Sequence, residues 1–258
     1  MLSPRIIPCL LIHKEGLVKT KQFKDHKYVG DPLNAVRIFN EKEVDEILII
    51  DIDATVNKQK PNFELIEQLA TQCRMPFTYG GGIKNTEEVE KIIQLGVEKV
   101  AISSAAIKNP NFIRQAAEKV GSQSIALVAD TRKYQKGYKV YTHNGNEETD
   151  YSPESLAKLA EENGAGEFII NNIDRDGMGN GYDTQLIRNC RESCNIPITS
   201  LGGAGSLEDL KNLIINFPII GAGAGSLFVF KGKYRAVLIN YPERNIKNEI
   251  FSSTISKN

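Results

Sequence analysis

Asp130 closes one apolar run, Ala126-Leu127-Val128-Ala129, and a glycine-rich stretch, Phe77-Thr78-Tyr79-Gly80-Gly81-Gly82-Ile83, closes another. A carboxylate at the end of an apolar strand is partly desolvated, which raises its pKa and suits it to general acid–base work. A loop-capping aspartate looks the same. A glycine turn that feeds a helix, here over 85–96, aims free N–H groups at a phosphate. Only glycine allows such close approach and positive φ at no steric cost. A glycine turn that binds nothing has the same appearance.

The glycine stretch occurs twice. Ile198-Thr199-Ser200-Leu201-Gly202-Gly203-Ala204-Gly205 repeats it 121 positions later, and the same shift lays Asp51 and Asp53 on Asn172 and Asp174. Each half then ends in a strand and small residues, Ser103-Ser104 in the first and Ala224-Gly225-Ser226 in the second. Two matches at one offset mark a tandem of half-repeats, over about 1–122 and 123–241, with a polar tail over 242–258. Two anion sites, Gly81-Gly82 with Ser103-Ser104 and Gly202-Gly203 with Ala224-Gly225-Ser226, would suit a long substrate with a phosphate at each end. Laying Leu11-Ile12-His13-Lys14 on Asp130-Thr131-Arg132-Lys133, a local shift of 119, makes Leu11 the counterpart of Asp130, so an acid–base pair across the two halves lacks one member. His13, two residues on, is a candidate replacement or an idle loop histidine.

The elements that must position these residues alternate. Strands are expected over 5–12, 46–51, 77–79, 100–102, 124–130, 167–171, 198–200 and 219–223. Helices are expected over 31–43, 61–72, 86–95, 111–120, 152–163, 183–192, 207–216 and 233–239. A polar loop over 14–30 carries Lys19, and 134–144 alternates like a small hairpin. Short apolar strands alternating with helices predict a (β/α)8 TIM barrel; a doubly wound open sheet is the other fold of this order, and the half-repeat disfavours it. In such a barrel chemistry sits at the strands' C-terminal ends. Those ends carry Leu11, Asp51, Asp53, Ser103, Ser104, Asp130, Asn171, Asn172, Asp174, Asp176 and Ser226. At the opposite end Arg5, Glu46, Lys99 and Glu167 stand just before four apolar runs. They are either scattered flanking charges or a closed ring on the barrel axis, where buried charges persist only if paired.

Composition narrows the functions. Lys+Arg and Asp+Glu are both 32, so no global field draws the chain to nucleic acid or membrane. Cys9, Cys73, Cys190 and Cys194 lack zinc-type pairing and read as reduced thiols of a cytoplasmic protein. Met1-Leu2-Ser3-Pro4-Arg5 runs straight into a strand, so no signal peptide is expected. No apolar run approaches the roughly 20 residues a membrane span needs.

Taken together, several stretches resemble the cyclase subunit of imidazole-glycerol-phosphate synthase. They are Arg5-Ile6-Ile7-Pro8-Cys9-Leu10, Gly30-Asp31-Pro32, the Phe77 stretch, Gly121-Ser122-Gln123, Asn163-Gly164-Ala165-Gly166-Glu167, Ile173-Asp174-Arg175-Asp176-Gly177, Gly181-Tyr182-Asp183 and Gly202-Gly203-Ala204-Gly205. The resemblance covers about 1–241. It implies a half-repeat barrel without cofactor or metal, taking ammonia from a glutaminase docked on the N-terminal face. It implies an ammonia gate at Arg5, Glu46, Lys99 and Glu167, which favours the ring. It also implies a catalytic aspartate at Asp130, a catalytic loop lysine at Lys19, and Asp176 and Gly177 among the residues around a phosphorylated substrate.

The chain departs from that pattern where the family's first catalytic aspartate falls on Leu11. It departs again at Ser103-Ser104, at Asn171, at Leu201 and at Glu98. Leucine neither gives nor takes a proton, and losing a positioned acid–base costs roughly 10²–10⁴ in rate. The combination is similar to divergent relatives thought to supply ammonia for amidine formation on surface-polysaccharide sugars, with room for a third, ligase-type protein. A working cyclase of histidine biosynthesis is the alternative. An inert scaffold would have no need of a charge ring, and a sugar-phosphate isomerase would want a carboxylate in place of Leu11.

Overall fold

The computed structural model describes residues 3–252. Eight parallel strands close on themselves: β1 (Arg5–His13), β2 (Ile47–Asp51), β3 (Phe77–Gly80), β4 (Lys99–Ile102), β5 (Ile125–Tyr134), β6 (Glu167–Asn172), β7 (Ile198–Leu201) and β8 (Ile220–Ala224). The circle is completed where β8 pairs with β1, Arg5 opposite Gly221 and Pro8 opposite Ala224. Helices α1 (Pro32–Glu41), α2 (Phe63–Gln72), α3 (Thr86–Gln94), α4 (Asn111–Val120), α5 (Pro153–Glu162), α6 (Thr184–Ser193), α7 (Leu207–Asn216) and α8 (Arg244–Ser252) accompany the strands. This is the (β/α)8 barrel expected from the alternation.

Strand alternation sends successive side chains to opposite faces. From β1, Ile6, Leu10 and Ile12 enter the large core that includes Val36, Phe39, Ile66 and Leu69 of the helices. Ile7 and Cys9 enter a separate inner cluster with Leu48, Ala101, Ala126, Ile169 and Leu201. The helices start where side chains can take up their free N–H groups. Asp31 accepts from Asn34 with Pro32 behind it, Asn62 and Asn85 do the same for α2 and α3, and Ser206 forms a reciprocal capping box with Asp209. No helix among the described residues is long and apolar enough to cross a membrane.

Two expectations are corrected. Residues 14–30 are a β-hairpin, Gly16–Lys21 with Lys24–Gly30, and its first strand continues from β1 with Leu11 opposite Val18. Charged residues hid it. Lys19 and Thr20 are buried despite their polarity, and Gln22 and Phe23 make the turn at φ 52° and 64°. Residues 233–239 are not a helix: Phe230–Lys231 pairs with Ala236–Val237 across a turn. The terminal helix is instead α8, within the segment expected to be a polar tail. Only Ile246, Ile250 and Phe251 give it an apolar side, too few to show a clear period. Residues 253–258 of that tail lie outside the described residues, as do Met1 and Leu2.

The end of the chain is tied to the first strand. The Asp45 carboxylate accepts from Ile6 N (2.9 Å) and from Lys247 Nζ (2.6 Å). The Tyr241 hydroxyl donates to the Ile6 carbonyl (2.9 Å) and also lies 3.2 Å from Asp45 Oδ2. Tyr241→Phe leaves the ring in place but strips these bonds from buried acceptors. We expect a loss of about 1–2 kcal/mol, read from urea unfolding.

Candidate functional site

The four charges at the N-terminal end form a closed circuit. Arg5 pairs with Glu46 through Nη1 and with Glu167 through Nη2 (2.7 Å); Lys99 Nζ pairs with Glu46 (2.5 Å) and Glu167 (2.7 Å). Arg5, Lys99 and Glu167 are the first residues of β1, β4 and β6, and Glu46 directly precedes β2. That placement turns all four toward the axis. One oxygen of each carboxylate takes a second donor: Thr78 Oγ1 donates to the Glu46 oxygen that faces Lys99 (2.9 Å), and Thr199 Oγ1 to the Glu167 oxygen that faces Arg5 (2.5 Å). Burial alone would push the Glu167 carboxyl up, but Lys99 and Arg5 outweigh it and hold the pKa at about 2. Beside the ring lies a surface depression of about 660 Å³ bordered by Ile93, Val97, Glu98, Pro197 and Ile219.

Inward from the ring, the barrel interior is apolar and packed: Ile7, Leu48, Ala101, Ala126 and Ile169 cluster with Cys9, Leu11, Ile50, Val128 and Leu201. At the C-terminal end lies a cavity of about 430 Å³. Asp130 lines this cavity with Leu11, and Asn171 Nδ2 donates to Asp130 Oδ1 (3.0 Å). Burial pushes the Asp130 carboxyl up to about 7; the Asn171 bond opposes this, and the charge of Asp176 adds to it.

The two glycine turns differ. Gly81, Gly82, Ser103 and Ser104 line the cavity together with Lys58, Lys84 and Lys108. Of the second glycine site only Leu201 does; Gly202, Gly203, Ala224, Gly225 and Ser226 are not among the lining residues. The need for glycine is met by protein in both halves. A Cβ on Gly81 would lie 2.3 Å from the Asp51 carbonyl, and one on Gly203 would lie 2.0 Å from that of Gly181. Glycine there packs loop on loop, so the residue type alone does not mark an anion.

Lys19 is buried rather than poised on a loop. Its ammonium donates to the Cys9 carbonyl, and burial lowers its pKa. The hairpin that carries it is stitched to β6's loop: Thr20 Oγ1 donates to Asp176 Oδ2 (2.6 Å), and Gln22 N donates to the Asp176 carbonyl (2.9 Å). Gly177 is required by that docking, since a Cβ would lie 2.1 Å from the Thr20 carbonyl. His13 does not border the cavity. Its Nδ1 is 2.7 Å from Asp53 Oδ1, and its ring lies 4.4 Å from that of His26. His26 and His143, which do border the cavity, escaped the sequence reading along with the three lysines. One signal was present: the chain's three histidines (His13, His26, His143) all fall in segments that follow β1 or β5 strand ends.

A family model described as "Histidine biosynthesis protein" matches residues 5–235. A Leptospira interrogans protein provisionally named imidazole glycerol phosphate synthase subunit HisF is 53% identical over 253 residues, covering 97% of this chain and all of that protein. A Pseudomonas aeruginosa protein provisionally named subunit hisF2 is 50% identical, covering 95% of this chain and 98% of that one. Imidazole glycerol phosphate synthase subunit HisF of Natranaerobius thermophilus is 37% identical, covering 93% of this chain and 96% of that protein.

Two carboxyls give opposite pH signatures. Glu167 is held near 2 against roughly 4.3 when unfolded, so its contribution is full above the unfolded value and is lost as pH falls through 4 toward 2. Glu167→Gln should flatten acid destabilisation over that window. At neutral pH it should cost about 3–5 kcal/mol in urea unfolding, because two cations lose their partner. Asp130 keeps its proton to about 7 when folded, so stability falls as pH rises from roughly 4 to 7. Asp130→Asn should gain on wild type as pH is raised across that interval, and an unchanged difference would remove the perturbed carboxyl.

Proposed function

The chain belongs to the histidine biosynthesis protein family and, within it, to the HisF cyclase subunits; from that premise we propose that it is the ammonia-accepting barrel of a glutamine amidotransferase complex. The observation that carries this reading is a closed ion ring standing over an apolar barrel interior, at whose far end Leu11 occupies the position where the resemblance implies an acid–base group. Neutral ammonia crosses an apolar bore, whereas a bare ammonium ion pays heavily for desolvation. Ring pairs that exchange partners would admit the one and refuse the other, which makes Arg5, Glu46, Lys99 and Glu167 the gate. The glutaminase docks over the depression beside the ring, bringing its product to the gate. The barrel is built as two half-repeats meeting near residue 122, and its free thiols suit the cytoplasm.

At the other mouth a phosphorylated acceptor meets the ammonia beside Asp130. The product class is an amidine on a surface-polysaccharide sugar. An amide oxygen leaves only when activated, and a third, ligase-type protein supplies that activation. One feature favours a second reading, a surviving cyclase of histidine biosynthesis: Asp130 remains, buried and with a pKa of about 7, suited to proton transfer near neutrality. In that reading Asp130 carries the acid–base work and Lys19 the substrate contacts.

Turnover of the histidine-pathway ribulosyl bisphosphate with ammonium salt, at alkaline pH where free ammonia is abundant, separates the two. We expect no turnover by wild type and measurable turnover by Leu11→Asp, since that group is worth roughly 10²–10⁴ in rate. Robust wild-type turnover, abolished by Asp130→Asn, would establish the cyclase instead.

A further inference from the structure

One segment that departs from the barrel pattern is exposed along its whole length. Every residue from Lys231 to Leu238 lies at the surface, where an amphipathic helix would have buried one side. The segment leaves the barrel after β8 as the turn that joins Phe230–Lys231 to Ala236–Val237. Three apolar side chains within five positions stand in solvent: Tyr234 is 91% exposed, Val237 47% and Leu238 52%. Single exposed apolar groups are ordinary, but a cluster marks a contact surface.

The same turn is basic. Lys231, Lys233 and Arg235 fall within five positions, and between Asp209 and Glu243 the chain holds no carboxylate side chain. A fourth cation joins from the hairpin that follows β1. Lys27 Nζ lies 4.7 Å from the centre of the Phe230 ring, the Arg235 guanidinium lies 4.6 Å from it, and Lys27 Nζ donates to the Arg235 carbonyl (3.3 Å). The face of an aromatic ring attracts cations, so Phe230 gathers two charges that repel each other. Among the described residues every ion pair lies elsewhere, which leaves these four cations without a carboxylate. Lys27 is next in sequence to His26, which borders the cavity, so the patch stands beside the mouth.

The whole chain has 32 cations and 32 anions and exerts no long-range pull on nucleic acid or a lipid surface. Four unpaired cations set among a tyrosine and two aliphatic groups act at contact instead. Tyrosine and arginine are the residues that most often anchor protein interfaces. Complementarity then asks for carboxylates on the other side, with apolar groups between them.

We propose that the turn at 230–238, together with Lys27, is the docking surface for a partner protein whose contact face is acidic and partly apolar. The partner's identity rests on the ammonia reading: the ligase-type protein that activates the acceptor has to reach the mouth, and this patch adjoins it.

The test uses a short synthetic peptide of glutamates interrupted by leucines as the probe, with backbone amide NMR of the whole protein at low salt. The peptide should shift the amides of Lys27 and of residues 231–238 along one saturation curve. The triple variant Lys231→Glu/Lys233→Glu/Arg235→Glu should weaken binding roughly tenfold. Tyr234→Ser should weaken it severalfold, and an all-glutamate peptide of the same length should bind wild type less tightly than the probe. These substitutions lie in an exposed turn, and unchanged amide shifts elsewhere establish that the fold is kept. No saturable shift, shifts centred on another surface, or binding that survives the triple charge reversal would overturn the proposal. So would single-stranded DNA or phosphatidylglycerol vesicles that bind the turn as tightly as the peptide, since the patch would then collect any anion. Neither ammonia nor an acceptor is present, so these failures leave the ammonia reading to be judged by the Leu11→Asp turnover. Failure of that turnover, in turn, changes the partner's identity and leaves the docking surface standing.

Discussion

Four charges at the closed end of a barrel can be buried only as a circuit. Arg5, Glu46, Lys99 and Glu167 come from four separate strands, and each has partners on both sides. Removing one member strands two opposite charges in a place water barely reaches, at a cost of about 3–5 kcal/mol. The strands' registers are therefore constrained twice, by backbone ladders and by the need to bring these four groups level. Everything above them inherits that alignment: the apolar bore, the layer with Leu11 and Leu201, and the rim with Asp130 and the glycine turns.

The bore also conditions the chemistry at its outlet. Asp130 sits among Leu11, Val128 and Leu201, where little water solvates a carboxylate. Its raised pKa is a property of that surrounding more than of its own hydrogen bond, which works in the other direction. Leucine rather than a charged group at position 11 thus keeps the Asp130 carboxyl in a less polar setting.

Much of this was legible in the chain before folding. The barrel followed from short apolar strands alternating with amphipathic helices; the charges standing just ahead of four strands suit scattered flanking charges equally well, and only the family resemblance favoured a ring. Asp130 and Leu11 were placed at the mouth by the same counting. The hairpin at 16–30 was not, because Lys19, Thr20 and Lys21 read as solvent-seeking; Lys21 is exposed, but Lys19 is buried on the Cys9 carbonyl and Thr20 on Asp176. Helix α8 was missed for want of a repeated apolar face. The contrast between the two glycine turns was hidden for a different reason. Both carry a glycine pair, and what separates them is whether the cavity reaches it: Gly81 and Gly82 border the cavity, and Gly202 and Gly203 do not. Pattern reports local chemistry; occupancy of a space is a long-range fact.

The tie between Tyr241, Asp45 and Ile6 has a consequence for how the molecule is made. Strand β1 is made well before one of its partners: β8 begins at Ile220, and the Tyr241 hydroxyl that meets the Ile6 carbonyl is 235 residues away. Throughout synthesis one edge of β1 carries unpaired backbone groups, a template for joining the wrong strand. Contacts so far apart along the chain are also the slow ones to form. Final closure thus waits for β8. The ring completed by Arg5 and Glu167 cannot stand until β6 exists, and the ladder from β1 to β8 can zip only once nearly the whole polypeptide is free.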